Sequence, residues 1–375
     1  MLSKIILTLF MTEGNSLSTW FEHGMLDREM KIYELISQKV NKIQIFSYGT
    51  NKDKRYLKNV KNIVLLNWVF NRGMRYYARF GHYLHYRKLK QSQIFKTNQI
   101  LGSLAAVKAK EIFNKPLIVR CGFLWSVFAK HGGDSSQILE KAECTEAIAF
   151  NAADKIIVTC DRDKETVVEK YFIDENKIHV IPNYVNIDIF KPIINIEKQN
   201  GSIIFVGRLV RQKNLFNLLE SVEKVKQINE LKIIGEGHLL EELISISKNM
   251  KTKVTFLGRL PNDKLSSVIQ QSDIFILPSL YEGMPKTLLE AMSCGMPCIG
   301  ANSEGIKEII KNKENGILCE HDANSIADAL LLLYNNEALR NKIKNNARVD
   351  IEKNYNLNKV VDLELNIYKE LLTIS

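Results

Sequence analysis

The sequence predicts an α/β protein made of two doubly wound domains, each a parallel sheet with helices on both faces. Three observations carry that expectation. Short apolar segments alternate with helical stretches along the whole chain, the pattern of strands joined by helical crossovers. The 375 residues exceed one ordinary core and suit two domains of typical size. Charged, glycine-containing turns follow several of the apolar segments, and doubly wound sheets bind their ligands at such strand ends.

Taken in order, the strand candidates of the first half are Lys4 to Phe10, Ile43 to Tyr48, Asn62 to Leu66, Gln93 to Thr97, Pro116 to Arg120, Lys155 to Thr159 and Ile178 to Ile181. The opening run is apolar for only six residues after Lys4 and lacks a small-residue cleavage site. It reads as a first buried strand rather than a signal peptide. Glu13-Gly14-Asn15-Ser16 follows it and opens a helical segment; a single glycine there suits a plain turn as well as a ligand loop. Residues 186–200, polar and containing Pro192, read as a linker. A second alternating series starts at Ser202, with strands near Ile203, Leu231, Val254, Ile274, Cys298 and Ile317. A last helix is expected from about Asn358 to Leu372. The expected division is thus 1–185, linker 186–200, 201–355 and a final segment 356–375.

Composition narrows the class. Hydrophobic residues make up 45% and charged residues 25%, as in soluble globular proteins. Six scattered cysteines show no zinc-site spacing, so reduced thiols in a cytoplasmic protein are expected and no metal site. No stretch approaches the roughly 18 apolar residues of a membrane span. The net charge of +10 calls for an anionic partner or surface. Residues 70–90 contain no acidic residue and interleave Arg, Lys and Tyr with Phe70, Phe80 and Leu84. That suits either a helix packed by its aromatics with a solvated basic face or peripheral contact with anionic lipid headgroups. No nucleic-acid module lies behind the charge, so nucleic acid is not expected as a partner.

Two motifs carry chemistry. Ser202 to Val206 runs into Gly207-Arg208-Leu209 and then Lys213-Asn214, giving two cations on a strand-to-helix loop. A guanidinium forks two phosphate oxygens and an ammonium supplies a point charge, which suits a diphosphate. Downstream, the strand at Ile274 ends in Pro278-Ser279 and leads to Glu282-Gly283-Met284-Pro285-Lys286-Thr287, with Glu290 inside the following helix. The helix start there offers free amides to an anion, and the two carboxylates suit hydroxyls. Phosphates and hydroxyls together describe a nucleoside diphosphate sugar. Each motif alone also reads as a solvated basic loop or as a first-turn carboxylate placed for the helix dipole.

At these residues the chain resembles the retaining glycosyltransferases of family 4, which have the GT-B fold. The resemblance rests on Gly207-Arg208-Leu209 with Lys213-Asn214, on Glu282 and Glu290 with seven residues between them, and on Ile181-Pro182-Asn183-Tyr184-Val185-Asn186. In the last motif Tyr184 stands for the family's glycine and Asn186 for its aspartate. The resemblance implies two Rossmann-like domains facing a central cleft, an acceptor-binding first domain, a donor-binding second domain, and a C-terminal helix returning to the first. It implies that Arg208 and Lys213 grip the donor diphosphate, Glu290 takes the ribose hydroxyls and Glu282 the transferred sugar. Gly283, Met284, Pro285, Lys286 and Thr287 would line the donor, with Gly207 in the turn and Arg259 and Leu260 near the base. Gly14, Asn15, Arg120 and Cys121 would border the acceptor. Cys121 stands where family members often carry a histidine, and it reads as a packed residue rather than a nucleophile.

The expected activity is a metal-independent, retaining transfer from a UDP- or GDP-sugar, with no other cofactor, to a hydroxyl of a glycan or lipid-linked oligosaccharide precursor. Such precursors belong to cell-surface polysaccharide, lipopolysaccharide or capsule synthesis. Alternatives are a nucleotide-sugar epimerase of the same fold and a catalytically silent nucleotide-sugar-binding subunit. The expected location is cytoplasmic, peripheral to the inner membrane face if residues 70–90 meet lipid.

Overall fold

The computed structural model describes residues 2–58, 60–68 and 76–373. The chain divides into two compact units, one formed by residues 1–182 with 358–375 and one by residues 183–357.

The first unit holds a parallel sheet of seven strands: β1 (Ile6–Phe10), β2 (Lys42–Ser47), β3 (Ile63–Asn67), β4 (Ile94–Thr97), β5 (Leu117–Cys121), β6 (Lys155–Val158) and β7 (Ile178–Val180). Their order is β3-β2-β1-β4-β5-β6-β7. Each expected strand is present, displaced by at most two residues at an end. The reason is chemical: strands covered on both faces are nearly continuous apolar runs, which a sequence displays openly. Phe10, Phe46 and Phe95 pack in the core beneath the helices, with Phe10 stacked on Phe46 at 5.0 Å and edge-on to Phe95 at 5.5 Å.

The final helix, Leu357–Thr373, closes this unit from far along the sequence. Its Glu364 forms a fully buried ion pair with Lys96 of β4 and accepts a hydrogen bond from Tyr368 at 2.8 Å. The Lys96 ammonium also lies 5.3 Å from the centroid of the Tyr33 ring. Burial pushes the Lys96 pKa down and Glu364 pulls it back up.

The second unit repeats the plan with β8 (Ser202–Val206), β9 (Glu230–Ile234), β10 (Lys253–Phe256), β11 (Ile274–Leu277), β12 (Cys298–Ala301) and β13 (Ile317–Cys319). These are ordered β10-β9-β8-β11-β12-β13, with every pair parallel. The order reverses between β8 and β11, which makes that pair the topological switch point.

Residues 186–200, the expected linker, are grouped with the second unit. Phe190 is buried, and its carbonyl accepts from Ser293 Oγ at 2.5 Å and from Arg348 Nη1 at 2.9 Å. The Gln270 amide accepts from Ile193 N at 2.8 Å and donates to the Lys191 carbonyl at 3.1 Å. A polar, proline-containing run resembles a linker in sequence because these partners lie about 80 to 160 residues away.

Of the basic stretch 70–90, residues 70–75, including Arg72 and Arg75, lie outside the described residues. The remainder forms the helices Tyr77–Leu84 and Tyr86–Lys90. Tyr77 is buried, 4.3 Å from the Phe46 ring. Tyr76, Phe80, Tyr83, Leu84 and Tyr86 are exposed among Arg79, Arg87, Lys88 and Lys90. Tyr77 thus packs the helix, while several aromatics of the stretch stay exposed.

Candidate functional site

Both chemistry-bearing motifs fall on the loops that flank the β8/β11 switch point. After β8, Gly207 to Asn214 lead into the helix Leu215–Glu223; after β11, Pro278 to Pro285 lead into the helix Lys286–Ser293. Three consecutive links tie these loops together. Leu280 N donates to the Gln212 carbonyl at 2.8 Å, and Gln212 Nε2 donates to the Tyr281 carbonyl at 2.7 Å. Lys213 and Glu282, each about 8% exposed, form a charged hydrogen bond across the switch point. The Arg208 guanidinium, itself exposed, reaches Gln212 Oε1 at 3.4 Å. Two cations and one carboxylate are thus fixed within two loops.

The neighbouring loops are laced to these by their backbones. Gly207 N donates to the Ile234 carbonyl, Leu209 N to that of Glu236 and Gly235 N to that of Gly258. Glu282 N donates to the carbonyl of Glu304 at 3.2 Å. Glycine is required at both seams. A Cβ on Gly235 (φ +139) would sit 1.9 Å from the Gly207 oxygen, and one on Gly305 (φ +80) would sit 1.8 Å from that of Gly283. A side chain at either position would push the neighbouring loop out of place.

Helix Lys286–Ser293 begins at Pro285 without a side-chain cap, and the first-turn amides of a helix point outward along its axis. The Lys286 ammonium lies 4.9 Å from the centroid of the buried Tyr184 ring. Asn183, of the same junction motif, donates its Nδ2–H to the Met284 carbonyl at 2.7 Å, and its backbone amide donates to Met284 Sδ at 3.1 Å. Glu290 is almost fully buried within the helix. Arg259 is exposed on the loop after β10, pairing with Glu236 at 2.8 Å, and Leu260 beside it is half-buried.

In the first unit Gly14 (φ +81) and Asn15 occupy the turn after β1, where Asn15 N donates to the Thr12 carbonyl at 2.9 Å. Arg120 and Cys121 end β5. Arg120 is half-buried, whereas Cys121 is wholly buried. Of the sequence-predicted residues, Arg208, Lys213 and Glu282 are therefore joined by the links between two loops of the second unit, whereas those of the first unit occupy separate strand-end positions.

Sequence reasoning overlooked Gly235, Gln212 and the hydrogen bonds from Asn183 to Met284. Gly235-Glu236-Gly237 directly after an apolar run was an available signal. Gln212 offered none, because a glutamine in a basic loop reads as solvated.

Two parallel-sheet α/β units, the second with charged loops beside its switch point, form the architecture of the GT-B fold. Family models agree: Glycosyltransferase Family 4 matches residues 34–189 and Glycosyl transferases group 1 matches residues 186–350. The chain belongs to this glycosyltransferase family. It is 32% identical over 246 residues to the Escherichia coli UDP-Gal:alpha-D-GlcNAc-diphosphoundecaprenol alpha-1,3-galactosyltransferase, covering 60% of this chain and 63% of that protein. The match thus spans less than two thirds of that relative's length. Among solved structures, a sucrose-phosphate synthase from Thermosynechococcus elongatus superposes with a TM-score of 0.79 at 18% identity, covering 99% of this chain and all of that one. Anabaena HepE in complex with UDP and glucose gives 0.77 at 15% identity, covering 97% and 99%.

Proposed function

We propose that the protein transfers a sugar, with retention and without a metal ion, from a nucleoside diphosphate sugar to a hydroxyl of a glycan precursor carried on a lipid diphosphate. The observation that carries this reading is the Lys213–Glu282 pair across the switch point, with Arg208 beside it and an uncapped helix start next to it. An incoming diphosphate competes with Glu282 for the Lys213 ammonium. The released carboxylate then faces the sugar and can accept from its hydroxyls. Arg208, Lys213 and the amides of Lys286 and Thr287 meet the negative charge that grows on the diphosphate as the glycosidic bond breaks. Glu290 takes the ribose hydroxyls, and the Arg259-Leu260 loop holds the base. No protein base is needed on the acceptor side: the departing phosphate oxygen accepts the acceptor's proton on the same face of the sugar, which retains configuration.

The naming of the Escherichia coli relative for a diphosphoundecaprenol-linked acceptor supports a lipid-linked substrate, and that of HepE with UDP and glucose supports a UDP-sugar donor. Exposed Tyr76, Phe80, Tyr83 and Tyr86 among Arg79, Arg87, Lys88 and Lys90 suit contact with an anionic bilayer. Replacing Arg79, Arg87 and Lys88 together with glutamine should lower co-sedimentation with phosphatidylglycerol vesicles several-fold; unchanged sedimentation would remove the bilayer from the account.

The transfer itself is tested with UDP- and GDP-sugars, a short-chain α-GlcNAc-diphospholipid acceptor and excess EDTA. The expected product carries the donor's anomeric configuration by NMR, and its yield is unaffected by EDTA. An inverted product, or dependence on a divalent ion, contradicts the mechanism.

A further inference from the structure

A second feature lies at the carboxyl ends of β1 and β2. Helix Leu17–Glu22 follows the turn after β1, and the 3-10 helix Asn51–Leu57 follows β2. Phe21, 59% exposed, places its ring 5.2 Å from that of Tyr56 at an inclination of 33°. The Arg55 guanidinium carbon lies 4.7 Å from the centroid of the same Tyr56 ring, and Arg55 Nη2 donates to Tyr56 Oη at 2.6 Å. Lys52, Lys54 and Lys58 are exposed around them. An exposed phenylalanine set against a half-buried tyrosine, with an arginine on that ring and lysines exposed along the same segment, is poorly explained as packing.

The platform is rigidly built. Asp53, 1% exposed and the one carboxylate among residues 48–61, accepts from Leu17 N at 3.1 Å and from Ser18 Oγ, joining the two segments. The Thr50 carbonyl accepts from Asn67 Nδ2 at 2.6 Å, and Tyr48 N donates to the Asn15 carbonyl at 3.1 Å. Gly49 has no room for a side chain, since a Cβ there would lie 2.0 Å from Asp53 Oδ2. The acid is consumed in scaffolding, so the outward charge of residues 48–58 is basic, while Glu22 lies exposed beside Phe21.

We infer that the Phe21–Tyr56–Arg55 platform binds a glycosyl diphosphate, the polar head of the lipid-linked acceptor; this rests on the transferase reading above. An aromatic face carries partial negative charge and attracts the polarised C–H bonds of a pyranose face. A guanidinium and nearby ammonium groups pair with the adjoining diphosphate. The position is right for a ligand, because sites in doubly wound sheets lie beyond the carboxyl ends of strands. A bilayer is a poorer fit here than at residues 76–86, since this surface presents one aromatic pair on a polar scaffold rather than a row of exposed aromatics.

The test uses the full chain and α-GlcNAc-diphosphoryl-hexanol, a soluble probe, with affinity read by calorimetry. Phe21→Ala and Arg55→Gln should each weaken probe binding about tenfold or more, and Phe21→Tyr should leave it close to wild type. Thermal stabilisation by nucleotide sugars should be the same in all three variants. Wild-type affinity in the first two variants, or no binding of the probe to the wild type, overturns the platform. Absence of stabilisation by any nucleotide sugar in the wild type would instead strike the donor-site reading.

Discussion

At Cys121 the thiol is fully enclosed, and its Sγ–H donates to the Phe123 carbonyl at 3.0 Å. Burial pushes its pKa well above the ordinary thiol range, and the charges of Glu146 and Asp163 push the same way. A neutral thiol is a poor nucleophile. Cys144, by contrast, is exposed. Iodoacetamide at pH 8 should therefore label Cys144 and spare Cys121, and Cys121→Ala should cost about 1 kcal/mol of stability with turnover nearly unchanged. Labelling of Cys121 before Cys144, or a collapse in rate with the fold intact, would make the thiol part of the chemistry. Lys213 and Glu282 carry a different risk. Removing either leaves the other charge nearly buried, so alanine variants there mix stability with function.

At the scale of elements, the final helix is anchored by Lys96 and Glu364, whose side chains are 0% and 1% exposed. Breaking a buried pair from one side is costly, whereas replacing both partners with apolar groups is often tolerated. Lys96→Met alone should lower stability by about 3–5 kcal/mol, and adding Glu364→Leu should recover most of it in urea unfolding. A single variant as stable as the wild type would show that the pair does not hold the helix. This pair spans 268 residues, and no local pattern in the sequence announces it. The strands were legible because apolar runs such as Ile274 to Leu277 end at Pro or Gly turns. The hold on residues 186–200 and the seams at Gly235 and Gly305 were not, because their causes are partners that only the folded backbone brings near.

Over the whole molecule, the same parallel plan appears twice, and it puts the legible motifs of the second unit on the two loops beside its strand reversal. Arg208, Lys213, Glu282 and Glu290 were readable because charged residues after apolar runs stand out. Gln212 and Gly235, which set the spacing of those loops, were invisible or ambiguous until their hydrogen bonds and clearances were known. The central claim is that these loops hold a nucleoside diphosphate sugar. Glu290→Gln tests it with little change in shape and leaves the Lys213–Glu282 pair intact. Calorimetric titration of the wild type and this variant with UDP-glucose, UDP-galactose, UDP-GlcNAc and GDP-mannose is the most direct measurement. The account predicts binding of at least one donor by the wild type, with affinity lowered about tenfold or more in Glu290→Gln at an unchanged melting temperature. Binding of no donor by the wild type, or equal binding by the variant, would contradict it.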